Sequence, residues 1–395
     1  MVWNPQRTGR RVLCLNWRDT RHPEGGGSER YIEQIAEGLA GLGDEVTICC
    51  AAHPRAPRDE TVNRVRFRRR GGRLTVYLRA LWYVLQHRAD VVIDVQNGMP
   101  FFSVLLARCP VIVLVHHVHR EQWRVVLPAP LARFGWWIES WLTPRIYRNC
   151  QYVTVSEVTR RELIGLGVTP ERITVVPNGT SPIPSAIVSG TSRPGQRSVV
   201  GSGSSEPTLV TVGRLVPHKR VEHAIETLRR LSSRWPTLRL DVVGEGWWSD
   251  HLVAYARERG VADRITMHGY VAEQTKNEIL AGAWLHLCPS LKEGWGLVVM
   301  EAAAHGVPTV AYRYAGGLAE SVVHGATGLL ADTAEEFTES VSRLLADHQA
   351  RSTMGEAARQ RALTFTWANS VKAFDSLLPG GATPFQDPSA IRIPR

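Results

Sequence analysis

Two runs of alternating strands and helices, separated by one stretch that carries neither period, set what this chain can fold into. In the first run, residues 12–15, 46–50, 91–95, 111–115, 152–156 and 173–177 are short β-branched apolar segments. In the second run, residues 209–212, 238–243, 265–267, 285–288, 309–311 and 328–330 repeat the pattern. Helical periods fall between them. In the first unit Ile32, Ile35, Ala36 and Leu39 share one face behind Ser28, which is placed to cap that helix; in the second run Val221, Ala224, Ile225, Leu228 and Leu231 do the same. Strands that alternate with helices predict parallel sheets covered on both faces. Residues 181–207 are rich in Pro, Gly and Ser and read as an exposed linker. The predicted fold class is therefore α/β, with two doubly wound domains facing across a cleft: 1–180, then the linker 181–207, then 208–378. The Pro-rich tail 379–395 is expected to be disordered, and the late helix near 367–378 suits packing on either domain.

A chain of 395 residues exceeds one ordinary core, and 44% hydrophobic residues exclude large-scale disorder. The net charge of +10 points to an anionic partner without choosing among nucleic acid, membrane surface and phosphorylated small molecules. Six cysteines without a C-x-x-C pair predict reduced, buried thiols rather than a zinc or disulfide framework. The basic N-terminus lacks an apolar region behind it, and no segment reaches the roughly 18 apolar residues of a membrane span. A cytoplasmic protein is expected, with peripheral attachment to the inner membrane face left open.

Residues 292–314 concentrate the polar chemistry. Glu293-Gly294-Trp295-Gly296 is a glycine turn, and the apolar helical segment after it carries Glu301 before Gly306 and Pro308 stop it. A turn that feeds a helix N-terminus offers N–H groups and the positive end of the helix dipole to an anion. Carboxylates at both ends do not suit phosphate, but they suit hydroxyl-rich groups on either side of it, as in a nucleotide sugar. Arg214 and Lys219 lie after strand 209–212, where a forked guanidinium and a point-charge ammonium suit a diphosphate. Either cation alone reads as surface solvation; together with the 293–296 turn the pair gains weight. Gly25-Gly26-Gly27 would allow backbone to approach a ligand, though a triple glycine by itself is weak evidence. His116 follows strand 111–115 at the strand end that lines the crevice in doubly wound sheets. No partner at zinc-ligand spacing accompanies it.

Two further clusters are ambiguous. The arginine-rich run 64–73 reads as a solvated face or edge strand. Residues 123–147 hold Trp123, Phe134, Trp136, Trp137, Trp141 and Tyr147; Leu131, Phe134 and Ile138 at helical spacing favour packing over an aromatic-basic surface for an acceptor or a bilayer.

In this order, the motifs resemble the retaining glycosyltransferases of family four, which have the GT-B fold of two Rossmann-like domains. The resemblance rests on Gly213-Arg214-Leu215 with Lys219, on Val243-Gly244-Glu245-Gly246, and on Glu293 and Glu301 in an E-x7-E arrangement. Gly306-Val307-Pro308-Thr309 and Ala315-Gly316-Gly317 follow. The first half matches more loosely through Gly25–Gly27, His116 and Val176-Pro177-Asn178-Gly179, so the likeness spans about residues 11–375.

The resemblance implies the following roles. Arg214 and Lys219 clamp the leaving diphosphate, aided by the backbone of Gly294, Trp295, Gly296 and Leu297. Glu293 holds donor-sugar hydroxyls, Glu301 the ribose, and His116 the sugar at its reactive face. Gly27 lets backbone approach the phosphates, and the base packs near Glu245 and Val271. The first domain carries the acceptor, a glycan, lipid-linked or natural-product hydroxyl. The nucleoside-diphosphate sugar is a co-substrate; no cofactor or nucleic-acid partner is implied, and the absence of a D-x-D triplet fits metal-independent transfer. Competing readings are a nucleotide-sugar epimerase of the same fold, a non-catalytic nucleotide-sugar sensor and a nucleic-acid-binding module. A dinucleotide oxidoreductase is disfavoured because no G-x-G-x-x-G follows strand 12–15.

Overall fold

The computed structural model describes residues 9–181 and 206–381. The predicted linker and tail lie almost wholly outside the described residues. The first sheet has the order β3-β4-β2-β1-β5-β6-β7-β8. Its strands are β1 (Arg11–Leu15), β2 (Glu45–Cys50), β3 (Asp59–Val62), β4 (Val65–Arg69), β5 (Val91–Gln96), β6 (Val111–Val115), β7 (Gln151–Thr154) and β8 (Ile173–Val175). All neighbours are parallel except the β3–β4 hairpin.

The chain leaves β1 in one direction towards β2 and β4, then returns to the other side of β1 for β5. Right-handed crossovers in opposite directions place their helices on opposite faces. Helix α1 (Gly27–Gly41) therefore covers one face, with Ile32, Ile35 and Leu39 packed against Val12 and Ile93. Helices α2 (Thr75–Gln86), α3 (Arg120–Val126), α4 (Ala129–Trp137), α5 (Thr143–Ile146) and α6 (Glu157–Gly165) belong to crossovers in the other direction. Val76, Ala80 and Val84 of α2 accordingly share a second core with Leu13, Val113 and Tyr147.

The second sheet is wholly parallel, in the order β11-β10-β9-β12-β13-β14. It is built from β9 (Thr208–Val212), β10 (Arg239–Val243), β11 (Ile265–Gly269), β12 (Leu285–Cys288), β13 (Thr309–Tyr312) and β14 (Gly328–Ala331). Helices α7 (Val221–Leu231), α8 (Ser249–Glu258), α9 (Glu273–Gly282), α10 (Leu297–Ala304), α11 (Leu318–Ser321), α12 (Ala334–Ala346) and α13 (His348–Thr364) accompany it. The direction of winding reverses between β1 and β5 in the first sheet and between β9 and β12 in the second, and such reversals open a crevice at the strands' C-terminal ends. The last helix, α14 (Trp367–Asp375), crosses back onto the first domain. Gly38 of α1 meets Val371, Ser370 Oγ donates to the Pro177 carbonyl at 2.7 Å, and Arg10 joins Asp44 to Asp375.

Three local expectations are corrected. The arginine-rich run is not an edge strand, since Val65–Arg69 pairs with β2 on one side and β3 on the other, but Arg64, Arg66 and Arg73 are solvated. Arg69 is fully buried, where Asp19 and Glu60 neutralise its charge. Ser28 does not cap α1. Gly26 occupies the cap, its N–H donates to Glu29 Oε2 at 2.8 Å, and the Ser28 hydroxyl donates to the same oxygen. Packing does not account for Leu131 and Phe134, which are exposed, although Ile138 is buried. Residues 138–142 form a π-helical turn whose extra residue shifts the face presented, which a 3.6-residue period does not anticipate.

Candidate active site

The second domain supplies its polar groups from the loops at its own reversal point. After β9, the chain turns at Gly213, passes Arg214 and enters a short turn ending at Lys219. That turn is tied to its neighbours: Gly213 N–H donates to the Val243 carbonyl at 2.9 Å and Leu215 N–H to the Glu245 carbonyl at 3.0 Å. Gly244 has no alternative, since a Cβ there would sit 2.0 Å from the Gly213 carbonyl oxygen. After β12 the chain reaches Glu293, whose carboxylate accepts from Lys219 Nζ and, at 2.7 Å, from Ser290 Oγ. Glu293 N–H donates to the Ala315 carbonyl at 3.1 Å, and its own carbonyl accepts from Gly317 N–H at 2.9 Å. The glycine pair at 316–317 thus fixes the acidic turn. Gly296, at φ +86°, makes the left-handed corner that starts α10.

The first domain faces this with the loop after β1 and the end of β6. Arg214 Nη1 donates to the Glu24 carbonyl at 3.0 Å, and a Cβ at Gly26 would lie 3.2 Å from Arg214 Nε. A Cβ at Gly27 would lie 3.2 Å from Leu297 Cδ1, and one at Gly294 would lie 2.3 Å from the His116 carbonyl oxygen. Backbone glycines therefore line both walls where they meet. His116 is buried against the ring edge of Tyr31, and its Nε2 has no hydrogen-bond partner. Ion pairs bracket the cleft: Arg30 with Glu273 at 2.7 Å, Arg55 with Glu245 at 3.1 Å, and Lys292 with Glu162.

The electrostatics follow from burial and pairing. Burial raises the Glu293 pKa, but the Lys219 charge and hydrogen bond together with Ser290 outweigh it, and the carboxyl is held below its ordinary value. Glu29 behaves alike, its burial outweighed by Arg18 and Arg214. Burial and the neighbouring Arg18 lower Arg214, against the pull of Glu29, Glu24 and Glu293. Burial lowers His116 to about 4, so it is neutral near pH 7 and able to exchange one hydrogen bond without carrying charge.

The structure gathers Gly27, His116, Arg214, Lys219, Glu293, Gly294, Gly296 and Leu297 at one place. The Trp295 indole turns away and packs on Phe365 at 5.0 Å, so only its backbone belongs to the turn. Glu301 pairs with Lys276 at 2.9 Å. Val271 packs against the cluster of Val210, Val243 and Leu280, and Glu245 lies partly exposed beside Arg55. Among the described residues no group of three or more His, Cys, Asp or Glu side chains is arranged to hold a metal ion.

Sequence reasoning missed Arg18, Glu29, Ser290 and Lys276. Ser290 could have been found from its position three residues before Glu293. Arg18 and Glu29 lie in and just after the glycine loop, where only the fold shows that they face Arg214. Arg18 donates to Glu24 at 2.8 Å and stands 3.5 Å from Glu29.

Two family models match the chain, Glycosyltransferase Family 4 over residues 25–182 and Glycosyl transferases group 1 over residues 192–361. The D-inositol 3-phosphate glycosyltransferase of Nocardia farcinica is 33% identical over 228 residues, 54% of this chain and 48% of that protein. An uncharacterized glycosyltransferase of Methanocaldococcus jannaschii is 28% identical over 231 residues, 57% of this chain and 59% of that protein. The matched region spans about half the length of these relatives. Sucrose-phosphate synthase from Thermosynechococcus elongatus superposes with a TM-score of 0.74 at 19% identity, covering 93% of this chain and 98% of that one. WaaG, a glycosyltransferase involved in lipopolysaccharide biosynthesis, gives 0.72 at 19% identity, covering 94% and 100%. At such identities the likeness is one of fold, and it confirms the two facing α/β domains expected. With one family model on each half and that fold throughout, the chain belongs to the group 1 glycosyltransferases of family four.

Proposed function

We propose that the protein transfers a sugar from a nucleoside-diphosphate sugar to an acceptor hydroxyl. The observation that carries this reading is the convergence of Arg214, Lys219 and the α10 N-terminus beside Glu293 and the neutral His116, in one cleft between two domains. The structural neighbour HepE of Anabaena is solved with UDP and glucose, which supports a donor of this class.

The proposed roles follow from charge. As the bond from the anomeric carbon to the diphosphate oxygen breaks, negative charge grows on the diphosphate. Arg214, Lys219 and the N–H groups from Gly294 to Leu297 are fixed partners for it. Glu293 is kept ionised by Lys219 and can accept hydrogen bonds from sugar hydroxyls. Glu301, held by Lys276, serves the ribose, and the base lies near Glu245 and Val271. His116 donates or accepts one hydrogen bond at the sugar. The acceptor oxygen forms the new bond to the anomeric carbon, and its proton leaves with the diphosphate. Retention and independence of a metal ion are part of the proposal, taken from the family. The acceptor enters from the first domain.

The test is transfer from a panel of nucleotide sugars, with donors first ranked by thermal shift. Glu293→Gln and Lys219→Ala are each expected to lower turnover by about a hundredfold or more while the melting curve stays cooperative. Turnover near the wild-type value in either variant removes these residues from the site.

A further inference from the structure

We propose that the first-domain face built by α2 and α4–α5 is a docking surface for an anionic phospholipid bilayer. This inference does not depend on the transfer reaction.

The first observation is charge. Residues 61–156 contain fourteen arginines, no lysine and only four acids. Arg68, Arg69 and Arg70 pair with Asp59, Asp19 and Glu60 outside that stretch, and the other eleven arginines still outnumber the acids. Two of those acids are internal. Asp94 is wholly buried and accepts hydrogen bonds from Ser103 and Tyr147, and Glu139 is buried beneath Trp123 and His119. A third, Asp90, is paired with Arg11.

The second observation is exposed apolar surface on α2 and on the segment 129–142. While α2 buries Val76, Ala80 and Val84, its outer side carries Leu74, Leu78, Trp82 and Leu85 at helical spacing, with Leu78 69% exposed and Trp82 54%. The helical segment 129–142 adds an exposed stack, Phe134 on Trp137 at 5.9 Å and Trp137 on Trp141 at 5.3 Å. Both belong to crossovers on one side of the sheet and share its second core. Of the fourteen large apolar side chains exposed among the described residues, ten lie on α2, α3, α4 and the segments beside them, residues 105 and 141.

Cations and apolar groups interleave here. Arg145 lies 4.2 Å over the Trp141 ring, and a groove of about 790 Å³ beside α2 is lined by Arg58, Arg70 and Arg79 together with Leu78 and Trp82. Leucine and tryptophan that enter the acyl boundary while arginines hold phosphate headgroups form the pattern of an interfacial helix. A polyanion such as nucleic acid would use the arginines and leave the leucines unexplained. The spread over separate elements suits a laterally extended partner. No helix among the described residues is long and apolar enough to cross a membrane, so the contact is peripheral.

Sedimentation of the full chain with vesicles tests this. Expected is recovery with vesicles of equal parts phosphatidylglycerol and phosphatidylcholine, and none with phosphatidylcholine alone. The double variant Leu78→Asp with Trp82→Asp, and independently Trp137→Asp, should each weaken binding about tenfold or more, as should Arg73→Glu with Arg79→Glu. All these side chains are exposed or on exposed loops, and a cooperative melt verifies folding. Native protein that ignores anionic vesicles overturns the proposal. So does vesicle binding that salt or the arginine variant removes but the three apolar substitutions leave unchanged, which would identify a general polyanion surface.

Discussion

Arg18 places a first-domain cation beside the second-domain clamp. Its guanidinium is nearly buried, pairs with Glu24, and faces Glu29 at 3.5 Å, too long for a good hydrogen bond. Both Arg18 Nε and Glu29 Oε1 stay without a hydrogen-bond partner in the protein, and so does His116 Nε2. Buried polar atoms without partners call for an explanation, and these three lie around the cleft that Arg214 enters. Arg18 and Arg214 each lie against Glu29, so the acid holds two like charges close together that a diphosphate could share. Arg18→Ala is expected to weaken nucleoside-diphosphate binding, measured calorimetrically with the best-binding nucleotide, by roughly tenfold to a hundredfold, the range for one charged hydrogen bond. Arg18→Lys should recover part of this, because charge remains while the fork is lost. Unchanged affinity in Arg18→Ala would reduce its role to bracing the 24–29 loop.

At the scale of elements, the contact between α1 and α14 is as tight as a core contact allows. A Cβ at Gly38 would sit 2.2 Å from Val371 Cγ2, and Val371 is buried. Gly38→Ala is therefore expected to destabilise by about 1–3 kcal/mol through overpacking, despite the helix propensity gained. The double variant with Val371→Ala should cost less than the two single costs added together, a coupling that denaturant titration of the four proteins measures. Additive costs would mean that α14 shifts freely.

No sequence period announces that contact, because the partners are 333 positions apart and glycine in a helix reads only as weakness. What was legible followed from local physics. Strands buried on both faces, such as Val111–Val115, are unbroken apolar runs, and the α1 face repeats at 3.6 residues. The β3–β4 hairpin was not legible, since Arg66, Arg68 and Arg69 contradict strand patterning until Asp59, Asp19 and Glu60 are seen to pair with the last two. Of the site, Arg214, Lys219, Glu293 and the glycines could be found from short motifs at strand ends. The partners of those motifs, Glu29 and Lys276, carry no motif of their own.

At the scale of the molecule, the question is what holds the domains closed over the cleft. Apart from α14, the chain crossing at Thr180 and the close backbone approach at Gly27, Gly294 and His116, the domains meet through ionic contacts: Arg30–Glu273, Arg55–Glu245, Lys292–Glu162, and Glu320 with α6. Glu320 differs from the others. Its carboxylate crosses the cleft to accept from the backbone N–H groups of Glu157 at 2.9 Å and Val158 at 2.5 Å, at the N-terminus of α6. There it meets both unpaired N–H donors and the positive end of the helix dipole, which makes it worth more than an exposed side-chain pair. Because such contacts are modest, closure is expected to be reversible and to weaken with salt. Glu320→Ala removes this contact without touching Arg214, Lys219 or Glu293. It should raise the radius of gyration seen by X-ray scattering in the nucleotide-free protein, and raise KM for the donor about three- to tenfold, with kcat less affected. Saturating donor should restore the compact scattering profile, since a ligand that bridges both walls favours the closed form by mass action. If Glu320→Ala scatters and turns over like the native protein, closure is set by the remaining contacts, the three cross-cleft ion pairs and the α1–α14 packing, and Glu320 has no part in it.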